Sequence, residues 1–125
     1  MNEWEILITD EVEQFLDGIY ETDRYTHKLV NQAILMLEQN GPCLGRPLVD
    51  SIVGSQIANL KELRPGSAGN SEIRILFAFD PWRSAILLVA GDKAGRWQQW
   101  YSEAIPHAEQ LYQAYLLERE QESQP

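Results

Sequence analysis

The sequence predicts an α+β fold in which an antiparallel-dominated sheet carries a helical hairpin on one face and is followed by a C-terminal helix. A change of hydrophobic period predicts it: residues 10–39 repeat apolar side chains every three or four positions, whereas residues 57–90 show strand patterns divided by turns. The chain has 125 residues, 44% of them hydrophobic, which is enough for one core. We therefore expect one domain over residues 1–117 and a charged, flexible tail over residues 118–125.

The first half of the chain predicts one strand and two helices. Residues 3–8 alternate as a strand does, and Thr9 and Asp10 are candidate N-caps for the helix that follows. Its apolar stripe consists of Val12, Phe15, Leu16, Ile19 and Tyr20. A second helix begins near Thr22 or Asp23 and ends at Asn40-Gly41-Pro42, with a predicted buried face of Leu29, Ala33, Met36 and Leu37. The short gap between the two helices predicts an antiparallel hairpin.

The second half predicts three strands and a helix. Residues 41–56 predict a connecting loop, with Pro42, Gly45, Pro47 and Gly54 as breakers. Strands are predicted at residues 57–64, 72–79 and 85–90, and the short turns between them make neighbours antiparallel. The unbroken apolar run 85–90 indicates a strand covered on both faces, and Pro106 is a candidate first residue of the last helix. The predicted order is β-α-α-β-β-β-α, with the helices on one face and the other face half open for chemistry.

Charge is distributed unevenly along the chain. Ten Lys and Arg against 19 Asp and Glu give a net charge of −9, which excludes a broadly basic nucleic-acid-binding surface. Residues 44–101 nevertheless hold seven of the ten bases and only five of the acids. An anionic partner is therefore expected to meet this middle portion, provided that folding gathers its bases on one surface. The alternative is that these bases scatter and pair with local acids.

Cysteine and histidine usage bounds the environment and the cofactors. The single cysteine, Cys43, excludes an internal disulfide, and no apolar run approaches the ~20 residues of a membrane helix. We therefore expect a cytoplasmic protein without a membrane segment. His27 and His107 fall on separate predicted helices, so neither a metal site nor a cofactor is expected.

Three segments of the cationic portion carry a family resemblance: Leu60-Lys61-Glu62-Leu63-Arg64-Pro65, residues 72–80 and residues 88–93. Together with Gly45-Arg46-Pro47 and Trp100-Tyr101, their order and spacing resemble RelE/ParE-superfamily toxins of type II toxin–antitoxin systems, in particular the HigB-like branch found in phages and plasmids. The likeness covers residues 3–116, so residues 1–117 are interpreted as one RelE/HigB-like toxin domain.

The resemblance implies a RelE-like fold and an enzyme that cleaves mRNA on translating ribosomes without a metal ion. It also implies a cognate antitoxin of helix-turn-helix type, through which alone the protein would contact DNA. Matched by position, the implied catalytic residues are Arg64, Arg74, Lys93 and Tyr101. The candidate RNA-binding residues are Lys61, which lies near a Lys used by some members of the family, and Arg96, Trp97 and Trp100, although the two tryptophans could instead seal a sheet edge.

Such a set is chemically suited to RNA cleavage, in which the 2′-OH attacks the neighbouring phosphate and the 5′-oxygen leaves. An Arg fork matches two phosphate oxygens, and preorganised charge is usually the largest catalytic contribution. Arg74 interrupts an apolar run, and a cation in a central strand usually has a partner or a role. A general acid or base is harder to find, because residues 44–101 contain no His. Tyr101 or Lys93 would serve only if neighbouring cations lowered its pKa.

Two other functions remain open at this point. The charge of −9 is unusual beside mRNA-cleaving relatives, which tend to be basic, and it leaves room for the ParE-type activity of inhibiting DNA gyrase on the same fold. A catalytically inactive protein-binding module is the third possibility. The combination of Arg64, Arg74 and Lys93 favours the ribonuclease.

Overall fold

The computed structural model describes residues 3–57, 59–66 and 69–122. Within those ranges lie five strands and three α-helices, plus a short 3₁₀ turn at Gly41–Cys43: β1 (Glu5–Ile8), α1 (Asp10–Thr22), α2 (Arg24–Asn40), β2 (Val49–Ser51), β3 (Leu60–Leu63), β4 (Ile73–Phe79), β5 (Ser84–Asp92) and α3 (Trp97–Glu122). The sheet order is β1-β5-β4-β3-β2. Only β1 pairs in parallel, and the other pairs are antiparallel. The predicted α+β class is confirmed.

The hairpin of α1 and α2 covers one face of the sheet, as predicted. The Thr9 hydroxyl accepts the Val12 N–H at 3.3 Å, and the Asp23 carboxylate accepts the Thr26 N–H at 3.1 Å, so each helix has a side-chain N-cap. The hairpin buries a core shared with strand residues of that face: Val12, Ile19, Val30, Ala33, Leu37, Leu63, Ile75, Phe77 and Leu87. Tyr20 and Met36, predicted to be buried, are 44% and 40% exposed because they lie at the margins of their helical stripes.

The second face of the sheet is covered by α3, so the predicted half-open face is wrong. Alternate residues of β4 and β5 point to this side and meet the buried face of the helix, in a cluster that includes Leu76, Ala78, Ile86, Leu88, Trp100, Ala104, Ala108 and Tyr112. Covering both faces explains the unbroken apolar run of β5, which the sequence did indicate. The open space that remains lies at the margin of α3 rather than across the face.

The start of α3 also differs from the prediction. The helix begins at Trp97, and Pro106 lies inside it rather than at its first turn. A proline inside a helix costs one backbone hydrogen bond. Here the helix buries Trp100 and Ala104 before the proline and Ala108 and Tyr112 after it, so packing against the sheet holds both halves in one helix. Residues 118–122, predicted to be a flexible tail, continue the helix, and residues 123–125 lie outside the described residues.

The predicted loop 41–56 contains the edge strand β2, which pairs with β3 through Val49↔Leu63 and Ser51↔Lys61. A three-residue strand is too short to show a period in the sequence. The neighbouring β3 begins at Leu60, later than predicted, and residue 58 lies outside the described residues. So do residues 67 and 68 of the predicted turn 65–70. In the part of the chain that the structure describes, no helix combines the length and the apolarity required to cross a bilayer.

Candidate active site

A cleft of about 390 Å³ lies between the β2–β3 edge of the sheet and the first half of α3. Its polar lining comes from both sides: Ser51, Glu62 and Arg64 from the strands, and Lys93 and Tyr101 from the end of β5 and from α3. Ile52, Val53, Trp97 and Ile105 supply the apolar lining. Three of the four predicted catalytic residues therefore line one cavity.

Strand register brings the fourth, Arg74, beside them. In the antiparallel pair of β3 and β4, Leu63 lies opposite Ile75. The next residue of the first strand, Arg64, therefore lies opposite Arg74, the residue before Ile75. On its other side Arg74 pairs with Gly91, two residues before Lys93.

Glu62 joins the two sides of the cleft. Its side chain is 4% exposed, and Oε2 accepts Arg64 Nε at 2.9 Å and Nη2 at 2.8 Å. Oε1 accepts the Tyr101 hydroxyl at 2.5 Å. Arg64 Nη2 also lies 3.3 Å from Asp50, whose pKa is held below its usual value mainly by a hydrogen bond from Arg46. The charge of Arg64 is therefore balanced by two carboxylates.

Arg74 is bound differently. Its Nη1 donates to the Ile73 carbonyl at 2.8 Å, whereas its Nε is buried and has no hydrogen-bond partner. Among the described residues no carboxylate lies within ion-pair distance of this guanidinium. A buried N–H donor without an acceptor is costly unless a ligand or water supplies one. Arg74 thus carries a positive charge that its own surroundings leave unbalanced.

Lys93 reaches the cleft from the end of β5. Its side chain is 16% exposed, and Nζ lies 3.7 Å from Glu72. Nζ also lies 5.4 Å from the ring centre of Tyr101 and 5.9 Å from that of Trp97. The two rings therefore hold the ammonium group at the mouth of the cleft by cation–π attraction.

Tyr101 alone could act as an acid or base near pH 7 only if its pKa were lowered, but its surroundings raise it. Burial is the largest cause and the hydrogen bond to Glu62 the next, and together they raise the pKa of Tyr101 to about 12. The charges of Arg74 and Arg64 lower it, but by less. Tyr101 is therefore a neutral phenol near pH 7 and can take up a proton only while passing its own to another group.

The predicted RNA-binding residues separate into two groups. Trp97 is 56% exposed at the cleft and Arg96 is exposed just before α3, so both are accessible to a ligand. Lys61 donates to the Ser51 hydroxyl at 3.3 Å and is not part of the cleft lining. Trp100 is 6% exposed and packs on Gly91, where a Cβ would lie 2.2 Å from Trp100 Nε1. Such a buried ring fits the sheet-sealing alternative better than base stacking.

Glu62 and Asp50 are the site residues that sequence reasoning missed. The signal for Glu62 was present: in a strand, Leu60, Glu62 and Arg64 share one face, so Glu62 had to point the same way as the predicted catalytic arginine. Asp50 lay in the segment interpreted as a loop. Elsewhere, His107 pairs with Glu11 at 2.7 Å and Cys43 is exposed. Over residues 3–57, 59–66 and 69–122, no group of three or more His, Cys, Asp or Glu side chains is arranged to hold a metal.

Comparisons with known proteins agree with the resemblance. The sequence profile of the family described as "Phage derived protein Gp49-like" matches residues 17–113. A relative from Mycobacterium tuberculosis named "Putative toxin HigB2" is 54% identical over 112 residues, which are 90% of this chain but 56% of that protein's length. A second from the same organism, "Putative toxin HigB3", is 48% identical over 111 residues, 89% of this chain and 92% of that protein. No solved structure gives a significant match. The predicted likeness to HigB-like toxins is confirmed.

Proposed function

The chain belongs to the phage-derived Gp49-like family, and we propose that it is the toxin of a type II toxin–antitoxin system and cleaves mRNA on the ribosome. The observation that carries this proposal is the convergence of Arg64, Lys93 and Tyr101 on one cleft, with Arg74 placed beside Arg64 by the strand register. These groups supply positive charge, a proton donor and a hydroxyl within one small volume, as phosphodiester cleavage requires. The names of the two relatives support the toxin class.

Arg74 is the phosphate-binding residue in this proposal. Arg64 is already balanced by Glu62 and Asp50, so it mainly orients its neighbours and adds donors. No carboxylate of the described residues pairs with Arg74, so a phosphate would supply the negative charge that it lacks. A fixed guanidinium aimed at charge that grows in the transition state accelerates the reaction more than it tightens ground-state binding.

Lys93 and Trp97 act at the mouth of the cleft. The Lys93 ammonium is positioned to give a proton to the departing 5′-oxygen, because it is held beside Tyr101 and only weakly paired with Glu72. The exposed ring of Trp97 offers a surface on which a base can stack. The ribosome presents the mRNA, which compensates for the weak RNA affinity expected of a chain with a net charge of −9.

A toxin of this type requires a cognate antitoxin, and we expect one of helix-turn-helix type that covers the cleft. The toxin would then contact DNA only indirectly, through this antitoxin. Because steering acts mainly on association, raised salt should slow complex formation more than it speeds dissociation.

The test uses purified protein, translating ribosomes and a defined mRNA, with cleavage sites mapped by primer extension. The wild-type protein should cut within the coding region, and Arg74→Ala should cut about 10²-fold more slowly. Arg119→Ala, at the opposite end of the sheet, is the matched control and should cleave at the wild-type rate. Equal cleavage by wild type and Arg74→Ala would identify a contaminating nuclease and contradict the proposal.

Gyrase inhibition is the second candidate, favoured by the acidic overall charge and by the carboxylates that balance Arg64. The same protein added to gyrase and supercoiled DNA distinguishes the two. Intact mRNA together with inhibited supercoiling or accumulated DNA breaks would replace the ribonuclease proposal with the gyrase one.

A further inference from the structure

The Glu62 carboxylate is arranged as the partner of the Tyr101 hydroxyl. It is 4% exposed and lies at the wall of the cleft, with Oε1 accepting Tyr101 at 2.5 Å. The two bonds from Arg64 to Oε2 hold the carboxylate plane in one orientation. This geometry commits the hydrogen of the Tyr101 hydroxyl to Glu62, so the phenol oxygen faces a substrate as an acceptor only.

We propose that Glu62 receives the proton that the attacking 2′-OH loses, through Tyr101. This inference rests on the proposed ribonuclease function. The 2′-O–H bond breaks and its proton goes to the Tyr101 oxygen, while the Tyr101 proton moves to Glu62 Oε1. The 2′-oxygen bonds to phosphorus, the bond from phosphorus to the 5′-oxygen breaks, and that oxygen takes a proton from Lys93. Glu62 acts through Tyr101 and does not touch the substrate, so it is a positioning residue.

Two other features of the site agree with this route. Tyr101, with a pKa raised to about 12 by burial and by Glu62, cannot act as a base by ionising first, so a concerted transfer is required. The other nearby acids are bonded to cations and not to Tyr101: Asp50 lies against Arg46 and Arg64, and Glu72 against Lys93. Among the described residues, Glu62 is the carboxylate that is hydrogen-bonded to Tyr101.

A double-mutant cycle on single-turnover mRNA cleavage tests the route. Glu62→Gln keeps the shape of the side chain but removes its basicity, and should slow cleavage about 10²-fold at saturating protein, with little change in the concentration needed for saturation. Tyr101→Phe should have a similar effect. The double variant should be no slower than the slower single variant, because the two residues transfer one proton as a unit.

Asp50→Asn is the matched control, since Asp50 shares Arg64 with Glu62 but does not contact Tyr101. Its effect should stay under about tenfold and should multiply with that of Tyr101→Phe, as expected for independent sites. Thermal unfolding of each variant establishes that it is folded. If Glu62→Gln does not fold, Glu62→Asp takes its place: it keeps the carboxylate but withdraws it from Tyr101, and should be slowed roughly tenfold.

The outcomes separate this inference from the proposed function. If the wild-type protein cleaves mRNA and a folded Glu62→Gln or Glu62→Asp variant cleaves it at the full rate, the role of Glu62 is overturned and the ribonuclease proposal stands. Multiplying effects of Glu62→Gln and Tyr101→Phe overturn it as well. Failure of the wild-type protein to cleave overturns both.

Discussion

The same three kinds of side chain meet at both ends of α3. At one end are Glu62, Arg64 and Tyr101, here called the cleft trio. About four helical turns later are Asp80, Tyr115 and Arg119, the turn trio. In each, a buried carboxylate accepts a tyrosine hydroxyl and lies near an arginine: Glu62 to Arg64 at 2.8 Å, and Asp80 to Arg119 at 3.7 Å. Burial, followed by the carboxylate, raises the pKa of each tyrosine to about 12.

The surroundings differ, and they separate a structural cluster from a candidate catalytic one. The Asp80 carboxylate also accepts the backbone N–H groups of Trp82 at 2.9 Å and Ser84 at 2.8 Å, so it closes the turn between β4 and β5 and ties α3 to it. The groove beside the turn trio, of about 340 Å³, is lined by Glu5, Glu118 and Glu122 as well as Arg119. Its three carboxylates outnumber the one cation, so it would repel a phosphate. The cleft trio instead borders Lys93 and Arg74. Similar trios therefore indicate a function only where the adjacent space suits a ligand.

The largest expected difference between the trios is in stability. Asp80→Ala should lower the free energy of unfolding by about 3–5 kcal/mol, because the N–H groups of Trp82 and Ser84 and the Tyr115 hydroxyl all lose their acceptor, each at a cost of about 1–3 kcal/mol. Glu62→Ala should cost less, about 1–3 kcal/mol, since Arg64 keeps Asp50 and the cleft admits water. Urea unfolding measures both. A larger loss for Glu62→Ala would mean that the cleft trio is the structural one.

The next effect concerns the kind of positive charge. Arg74→Lys should remain at least roughly tenfold slower than wild type in mRNA cleavage, because an ammonium group cannot reproduce the guanidinium fork. Arg119→Lys, the same change beside the turn trio, should cleave normally. Full activity in Arg74→Lys would reduce its role to that of a general positive potential.

Removal of the hydroxyl should cost a similar amount of stability at Tyr115 and at Tyr101, but it should slow cleavage only at Tyr101. Tyr115→Phe removes one bond to Asp80, which keeps its two backbone donors, and should cost about 1 kcal/mol of stability with unchanged cleavage. Tyr101→Phe should have a comparable cost in stability but slow cleavage. If a folded Tyr115→Phe variant also cleaved slowly, the distinction between the trios would be wrong.

The smallest expected effect is an alkaline loss of stability that both trios share. Tyrosine ionises near pH 10 in the unfolded chain, whereas Tyr101 and Tyr115 ionise near pH 12 in the folded protein. The unfolded state therefore releases protons first, so this contribution is complete below about pH 10 and is lost as the pH rises towards 12. Denaturant unfolding between pH 8 and 11.5 should show this fall, and Tyr115→Phe and Tyr101→Phe should each make it shallower. If stability falls with pH as steeply in both variants as in the wild type, other titrating groups cause the alkaline loss.

Periodic patterns carried much of the fold information. Local signals such as the cap at Thr9, the stripe from Val12 to Ile19 and the turn at Asp80 predicted the hairpin and the central strands, because each depends on residues near in sequence. The family resemblance likewise predicted Arg64, Arg74, Lys93 and Tyr101 as catalytic residues, and their catalytic role stays a prediction. The short strand β2 and the passage of α3 through Pro106 escaped prediction, since long-range packing decides both.

By itself, then, the sequence determined the α+β class, the helical hairpin, the cationic middle portion and the family. Tertiary structure alone decided that α3 closes the second face, that the cleft opens at its margin, and which charges there are balanced. Those outcomes depend on register and on contacts across 39 residues, such as Tyr101 to Glu62, that no local pattern encodes. In the sequence Glu62 is one more strand residue. It becomes the partner of the candidate catalytic tyrosine because α3 covers this face of the sheet and brings Tyr101 to it.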